Sequence, residues 1–202
     1  MYLPDNSRTV SKKANVFILR TTAIDPEPRV EKTAKWLQEA GFKITILGWD
    51  REGTSKNKEI INGIAIERSK FKGKYGAGLG NLIGLVQFNI HILKRLFQSK
   101  PNIVHACDLD TLLPALIYCK ITGNKLVYDI FDFYAESRYV GKLKRIISQL
   151  ERWACKKCDS VTIVHEKRIE QLEPVLDSTR EKIEVIYNTP NEIKVNVADV
   201  KS

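Results

Sequence analysis

Short apolar runs alternate with amphipathic stretches from one end of this chain to the other. NVFILR (15–20), KITILG (43–48), NIVHA (102–106), KLVYD (125–129), SVTIV (160–164) and KIEVIY (182–187) read as buried strands. Between them, apolar residues recur at helical spacing. A helix is predicted over 28–40, where Pro28 suits a first helical position and Gly41 a stop. Its apolar face is Val30, Ala34, Trp36 and Leu37. A second runs over 81–98, widely apolar from Ile83 to Phe97, and a third over 111–121, ended by Gly123-Asn124. A fourth covers 139–157 with Leu143, Ile146, Ile147, Leu150 and Trp153 directed inward, and a fifth covers 166–176. EIINGIAIER (59–68) reads as a short hairpin or an edge strand turning at Asn62-Gly63. Strand and helix therefore alternate throughout. This predicts a doubly wound α/β fold with a mostly parallel, Rossmann-like sheet of six or seven strands.

Residues 1–14 read as a polar leader, 15–190 as one domain, and 191–202 as a tail or the start of a linker. No apolar run approaches the roughly 18 residues of a transmembrane helix, and the N-terminus lacks the pattern of a secretory signal. Cys107, Cys119, Cys155 and Cys158 sit within apolar elements, which points to a reducing, cytoplasmic compartment. The Cys155-x-x-Cys158 pair lies near a helix end, where a spacing of three shares a face, so we read it as structural. Thirty-three basic against twenty-four acidic side chains leave a net charge of +9. That excess suits a phosphorylated ligand or an anionic membrane surface. Nucleic acid is not expected, because no basic strip is interleaved with aromatics.

Candidate chemistry gathers where such a fold places it, beyond the carboxyl ends of the strands. His105, Asp108 and Asp110 follow one strand; Asp129, Asp132 and Glu136 follow the next. Carboxylates facing one crevice are costly unless they bind hydroxyls, cations or each other, and sugars supply hydroxyls. A histidine among them can take a proton from an acceptor hydroxyl. Asp108 or Asp110 also suits the cap of the following helix. The turn after the first strand, TTAIDPEPR, holds no glycine, which argues against NAD or FAD. Gly76-Ala77-Gly78-Leu79-Gly80 lacks the lysine and hydroxyl of a P-loop and reads as a loop.

IVHACDLDTLLPALIYCKITGNKLVYDIFDFYAES resembles the central region of glycosyltransferase family 4. DPEPRVEKTAKWLQEAGFKITILGWDREG, LERWACKKCDSVTIVHEKRIEQL and KIEVIYNTPN resemble three further segments of that group, in the same order. The resemblance implies an N-terminal, acceptor-side domain of a two-domain GT-B enzyme. It implies retaining transfer from a nucleotide-sugar donor to a glycan or lipid-linked acceptor, with no metal and no other cofactor. A donor-binding domain or partner subunit would complete the cleft. By position, His105 carries over as the group orienting sugar or acceptor. Asp25, Arg29, Asp108, Asp129, Asp132 and Glu136 carry over as substrate contacts, and the crevice reading adds Asp110 to them. Cys107 and Phe131 stand where the family often has histidine, which opens the alternative of a non-catalytic module or one subunit of a split enzyme. A nucleotide-sugar epimerase is a third reading. The acceptors of the family also suggest peripheral attachment to the inner face of a membrane, through basic residues 70–74 and the helix over 81–98.

Overall fold

The computed structural model describes residues 14–73, 81–132, 144–175 and 180–188. The leader, the glycine-rich loop at 76–80, Glu136, the start of the predicted fourth helix and the tail from 191 lie outside the described residues. Eight strands form a single sheet: β1 (Asn15–Leu19), β2 (Lys43–Trp49), β3 (Lys58–Ile61), β4 (Ile64–Ser69), β5 (Ile103–Cys107), β6 (Lys125–Ile130), β7 (Ser160–Ile163) and β8 (Ile183–Val185). Their order is β3-β4-β2-β1-β5-β6-β7-β8. Every pairing is parallel except the β3–β4 hairpin. That hairpin adds the strand beyond the expected six or seven. It turns on Asn62 and Gly63, both at positive φ (51° and 81°), the backbone that an Asn-Gly pair adopts with least strain.

The chain runs leftward from β1 to β2 and β4, then crosses back to β5 and runs rightward. The order therefore reverses between β1 and β5, which is the switch point of a doubly wound sheet. Helix α1 (Pro28–Glu39) covers one face, packing Val30 and Ala34 on Val16, Ile18, Ile44 and Ile46. Helices α2 (Leu82–Ser99), α3 (Leu109–Thr122) and α4 (Lys144–Lys157) share the core of the other face with Phe17, Leu19, Val104 and Ala106. On α2 the buried stripe is Gly84, Phe88, Ile92 and Leu96, one residue per turn. Each of its three large side chains contributes about 1.5–3 kcal/mol by burial. Gly84 is demanded by a close approach: a Cβ there would lie 2.7 Å from the Lys72 carbonyl and from the Trp49 ring. The segment over 166–175 winds as a 3-10 helix rather than an α-helix.

Four side chains expected inside are outside. Trp36 on α1 is 46% exposed, and Ile146, Leu150 and Trp153 on α4 are 61%, 47% and 47% exposed. The periodicity marks an apolar sector on each helix, but only a narrow stripe of that sector reaches the sheet. On α4 the buried stripe is Glu151, Ala154 and Cys155.

Candidate functional site

The carboxyl edge of the sheet at the switch point is polar because each strand there gives way at once to charged residues. After β1 come Arg20, Thr21 and Thr22; after β2, Asp50 and Arg51; after β5, Asp108 and Asp110; after β6, Phe131 and Asp132. Two networks divide them.

The first surrounds Asp129 and is buried. Asp129 lies in β6 opposite Cys107, and His105 lies in β5 between Ile18 and Val127. Asp129 Oδ1 accepts from the Thr162 hydroxyl at 2.6 Å and from the Arg29 guanidinium, whose Nε donates to Oδ2 at 3.3 Å. His105 Nε2 stands 3.2 Å from Oδ2. Arg29 donates further to the Ile186 carbonyl at 3.0 Å, tying the start of α1 to the end of β8. All four side chains are buried. Burial pushes the Asp129 carboxyl up, but the His105 hydrogen bond and charge, with Arg29, outweigh it and hold the group at about 2. A carboxylate so surrounded stays ionised.

The second network is half-buried and faces the switch point. Asp108 has φ 63° and ψ 169°, a conformation that non-glycine residues rarely take. Its N–H donates to the Asp129 carbonyl at 2.9 Å. Its Oδ1 accepts from the Phe131 N–H at 2.9 Å, and its Oδ2 pairs with Arg20. These bonds hold the strained turn in place. Arg20 also lies 3.6 Å from Glu27 and packs 4.2 Å from the Phe131 ring centroid, with Arg29 4.7 Å from the same ring. Two residues on, Asp110 Oδ2 accepts from the Thr21 hydroxyl at 2.6 Å, while its Oδ1 is buried and finds no partner among the described residues. Burial pushes Asp110 up to about 6, more than the Thr21 bond and the Arg20 and Arg51 charges draw it down. Asn89 of α2 donates to the Asp110 carbonyl at 3.0 Å, fixing the first turn of α3.

Of the residues expected in one crevice, Asp108 and Asp110 meet at the switch point. Asp129, His105 and Arg29 form the buried network behind it. Asp132 is 84% exposed and pairs with Arg168 at 2.8 Å. Asp25 is exposed and lines a different cavity, between α1 and the β3–β4 hairpin. Glu136 lies outside the described residues. Arg20, Thr21, Arg51 and Asn89 were not among the expected residues. The rule that ligands sit beyond strand ends at the switch point would have selected Arg20 and Thr21 from the end of NVFILR.

His105, Cys107 and Asp129 bring three potential metal-binding atoms within 4.8 Å of one another. Burial and the Asp129 charge raise the Cys107 thiol well above its ordinary range. The Arg29 guanidinium already neutralises the carboxylate. Cys155 and Cys158 are buried thiols, Cys158 donating to the Ala154 carbonyl at 3.2 Å.

Among solved structures, the chain is similar to sucrose-phosphate synthase from Thermosynechococcus elongatus (TM-score 0.70, 9% identity, 88% of this chain and 49% of that one). It is also similar to UGT2 of Phytolacca americana (TM-score 0.61, 6% identity, 93% and 54%). A third likeness is to a putative UDP-N-acetylglucosamine 2-epimerase from Listeria monocytogenes (TM-score 0.56, 14% identity, 86% and 45%). The chain thus spans about half the length of these three structures, and identities this low speak to the fold alone. No curated protein matches it in sequence. The profile described as Glycosyltransferase Family 4 matches residues 27–190, a span that contains α1, the Asp129 network, Asp108, Asp110 and β8. By that match over most of its length, the chain belongs to glycosyltransferase family 4.

Proposed function

We propose that this chain is the acceptor-side, N-terminal half of a retaining glycosyltransferase. It acts with a donor-binding half to move a sugar from a nucleotide-sugar donor to a glycan or lipid-linked acceptor, without a metal. Family membership supports the transferase class. The observation that carries the site assignment is Asp110. It is the carboxyl at the switch point with an oxygen that has no partner among the described residues, raised toward neutrality, where a proton from an acceptor hydroxyl can be received. His105, first expected to orient sugar or acceptor, is buried and hydrogen-bonded to Asp129. In this reading it positions the strand end through Asp129, and Asp110 meets the hydroxyl. Asp108, held by Arg20, shapes the turn that presents Asp110.

The test is transfer from nucleotide sugars by this chain with and without the product of adjoining coding sequence. Turnover is expected only with the second half. Asp110→Asn should then lower kcat about 100-fold or more with donor KM little changed. Wild-type turnover by this chain alone would overturn the half-site reading, and full activity of Asp110→Asn would overturn the assignment.

A second reading is favoured by Phe131. The ring occupies the position where the family often has histidine, between the Arg20 and Arg29 guanidiniums. A non-catalytic sugar-binding module would tolerate that exchange. Such a module would bind ligand at the crevice but show no turnover with any second half.

A further inference from the structure

The crevice leaves Asp25 out. It stands beside the start of α1, at one end of a groove of about 790 Å³ between that helix and the β3–β4 hairpin. Ile46 of β2 and Ile64 and Ile66 of β4 form the floor. At the other end Gln38 Nε2 donates to the Asn62 carbonyl at 3.0 Å, tying helix to hairpin. The loop that carries Asp25 is strained and braced. Ile24 has φ 55°, where a β-branched residue is an outlier. It is pressed onto β2: a Cβ on Gly48 would lie 2.8 Å from the Thr22 carbonyl and 3.0 Å from Ile24 Cγ1. Arg68, almost fully buried, donates to the carbonyls of Ala23, Ile24 and Lys56 and pairs with Glu59, which joins the loop to the hairpin. Strain so over-determined by its surroundings is commonest at ligand sites.

One stripe of α1 faces the groove: Glu31, Lys32, Lys35, Gln38 and Glu39. Asp25 adds a carboxylate, and Asn62 of the hairpin an amide. Lys35 and Glu39 are 64% and 60% exposed and 3.8 Å apart, a pair weak enough at that exposure to yield to a ligand. The mixed sign of this lining decides what it can hold. The carboxylates oppose an anion, the lysines oppose a cation, and a purely apolar body would strip water from both. A neutral polyhydroxyl compound avoids all three costs. Its hydroxyls donate to carboxylates and accept from ammonium and amide groups, while its C–H faces lie toward the isoleucine floor. A peptide suits the groove less. An amphipathic helix fits an apolar trough, and an extended strand adds to the open edge of β3 rather than to the face of the sheet.

We propose that the groove between α1 and the β3–β4 hairpin binds a neutral oligosaccharide, with Asp25 and Lys35 among its polar contacts. The loop at 20–27 borders both sites: Thr21 bonds Asp110 in the crevice, and Asp25, further along the same loop, lines the groove. A glycan whose end hydroxyl lies at Asp110 would continue over this loop into the groove. That the bound chain is the acceptor rests on the transferase reading; that the groove holds sugar does not.

The experiment is titration of the full chain with neutral gluco-, manno- and galacto-oligosaccharides, with their monosaccharides and with acidic oligosaccharides, followed through its amide NMR shifts. Shifts are expected at Lys35, Gln38, Asn62 and Gly63 with a neutral oligosaccharide, and the matching monosaccharide should bind more weakly. Asp25→Ala and Lys35→Ala should each lower the affinity about tenfold. Lys156→Ala, on the other side of the sheet, should leave it unchanged. These positions are exposed, and melting curves check that the variants fold. Binding is read without donor or second half, so failure of the groove leaves the transferase reading standing, and failure of transfer leaves the groove standing. The proposal is overturned if no neutral oligosaccharide moves these amides. It is overturned equally if Asp25→Ala and Lys35→Ala leave binding intact, or if acidic oligosaccharides bind more tightly than neutral ones, which is adsorption on the basic surface.

Discussion

Asp129 and Asp110 stand near the same edge of one sheet, on successive β–α units, and their surroundings treat them in opposite ways. Asp129 is met by a guanidinium, a hydroxyl and an imidazole, and is held at about 2. Asp110 is met by one hydroxyl, keeps one oxygen without a partner among the described residues and is pushed up to about 6. Asp129 is buried and Asp110 only half-buried, so the difference lies in the partners rather than in depth. A saturated buried carboxylate holds elements together. A carboxyl left short of partners retains the capacity to bind a substrate hydroxyl or take its proton.

The largest test of that distinction is Asp129→Ala. It strands the Arg29 guanidinium in the core and removes the acceptor of Thr162 and the partner of His105. Loss of one partner from a buried ion pair costs about 3–5 kcal/mol, which lowers the melting temperature by about 10 °C in a domain of this size. Asp129 lies below its ordinary value, so its contribution is present above about pH 4 and is lost as the pH falls toward 2. The difference between wild type and Asp129→Ala in urea unfolding should therefore shrink only in strong acid. An effect within about 0.5 kcal/mol, as for a surface change, would erase the comparison.

Asp110→Asn should move stability the other way. Asp110 lies above its ordinary value of 3.8, so the folded protein favours the protonated form. Its unfavourable contribution is absent below about pH 4 and complete above about pH 6. The amide keeps an acceptor for Thr21. A gain of about 2 kcal/mol is expected at pH 8, falling toward zero at pH 4, after allowance for partial exposure. The same variant should lose transfer activity, the trade expected of a residue kept for chemistry rather than stability. A pH-independent change would remove Asp110 from the site argument.

How much of this the sequence carried depends on which physical signal was local. The β-type runs and the Asn62-Gly63 turn are local, and they appear where the pattern put them, as do helices α1 to α3 within one to two residues. The cluster of acids after 102–106 and 125–129 was also visible, because the strand ends are. Whether an acid is saturated was not visible, because the partners of Asp129 lie 100 residues away at Arg29 and 33 away at Thr162. For the same reason the sequence places His105 among several acids without showing that Asp129 is the one it bonds. Exposure on α4 has another cause. A helical sector of Ile146, Leu150 and Trp153 looks the same whether it meets the sheet or stands outside the core.

The smallest effect separates the two networks at the residue they share. Phe131 packs under both Arg20, which serves Asp108, and Arg29, which serves Asp129. Cation–π contacts of this kind contribute about 0.5–1 kcal/mol each, and the hydrogen bonds of both arginines remain when the ring is removed. Phe131→Leu keeps apolar volume and the backbone N–H that Asp108 accepts. It should cost about 1 kcal/mol in stability, read by urea midpoint, and leave the pH profile set by Asp110 unchanged. If instead it shifts that profile, the ring conveys the state of one network to the other. Asp108 and Asp110 would then have to be treated with Asp129 as a single coupled set, and the contrast between a structural and a chemical aspartate would give way to one network with two ends.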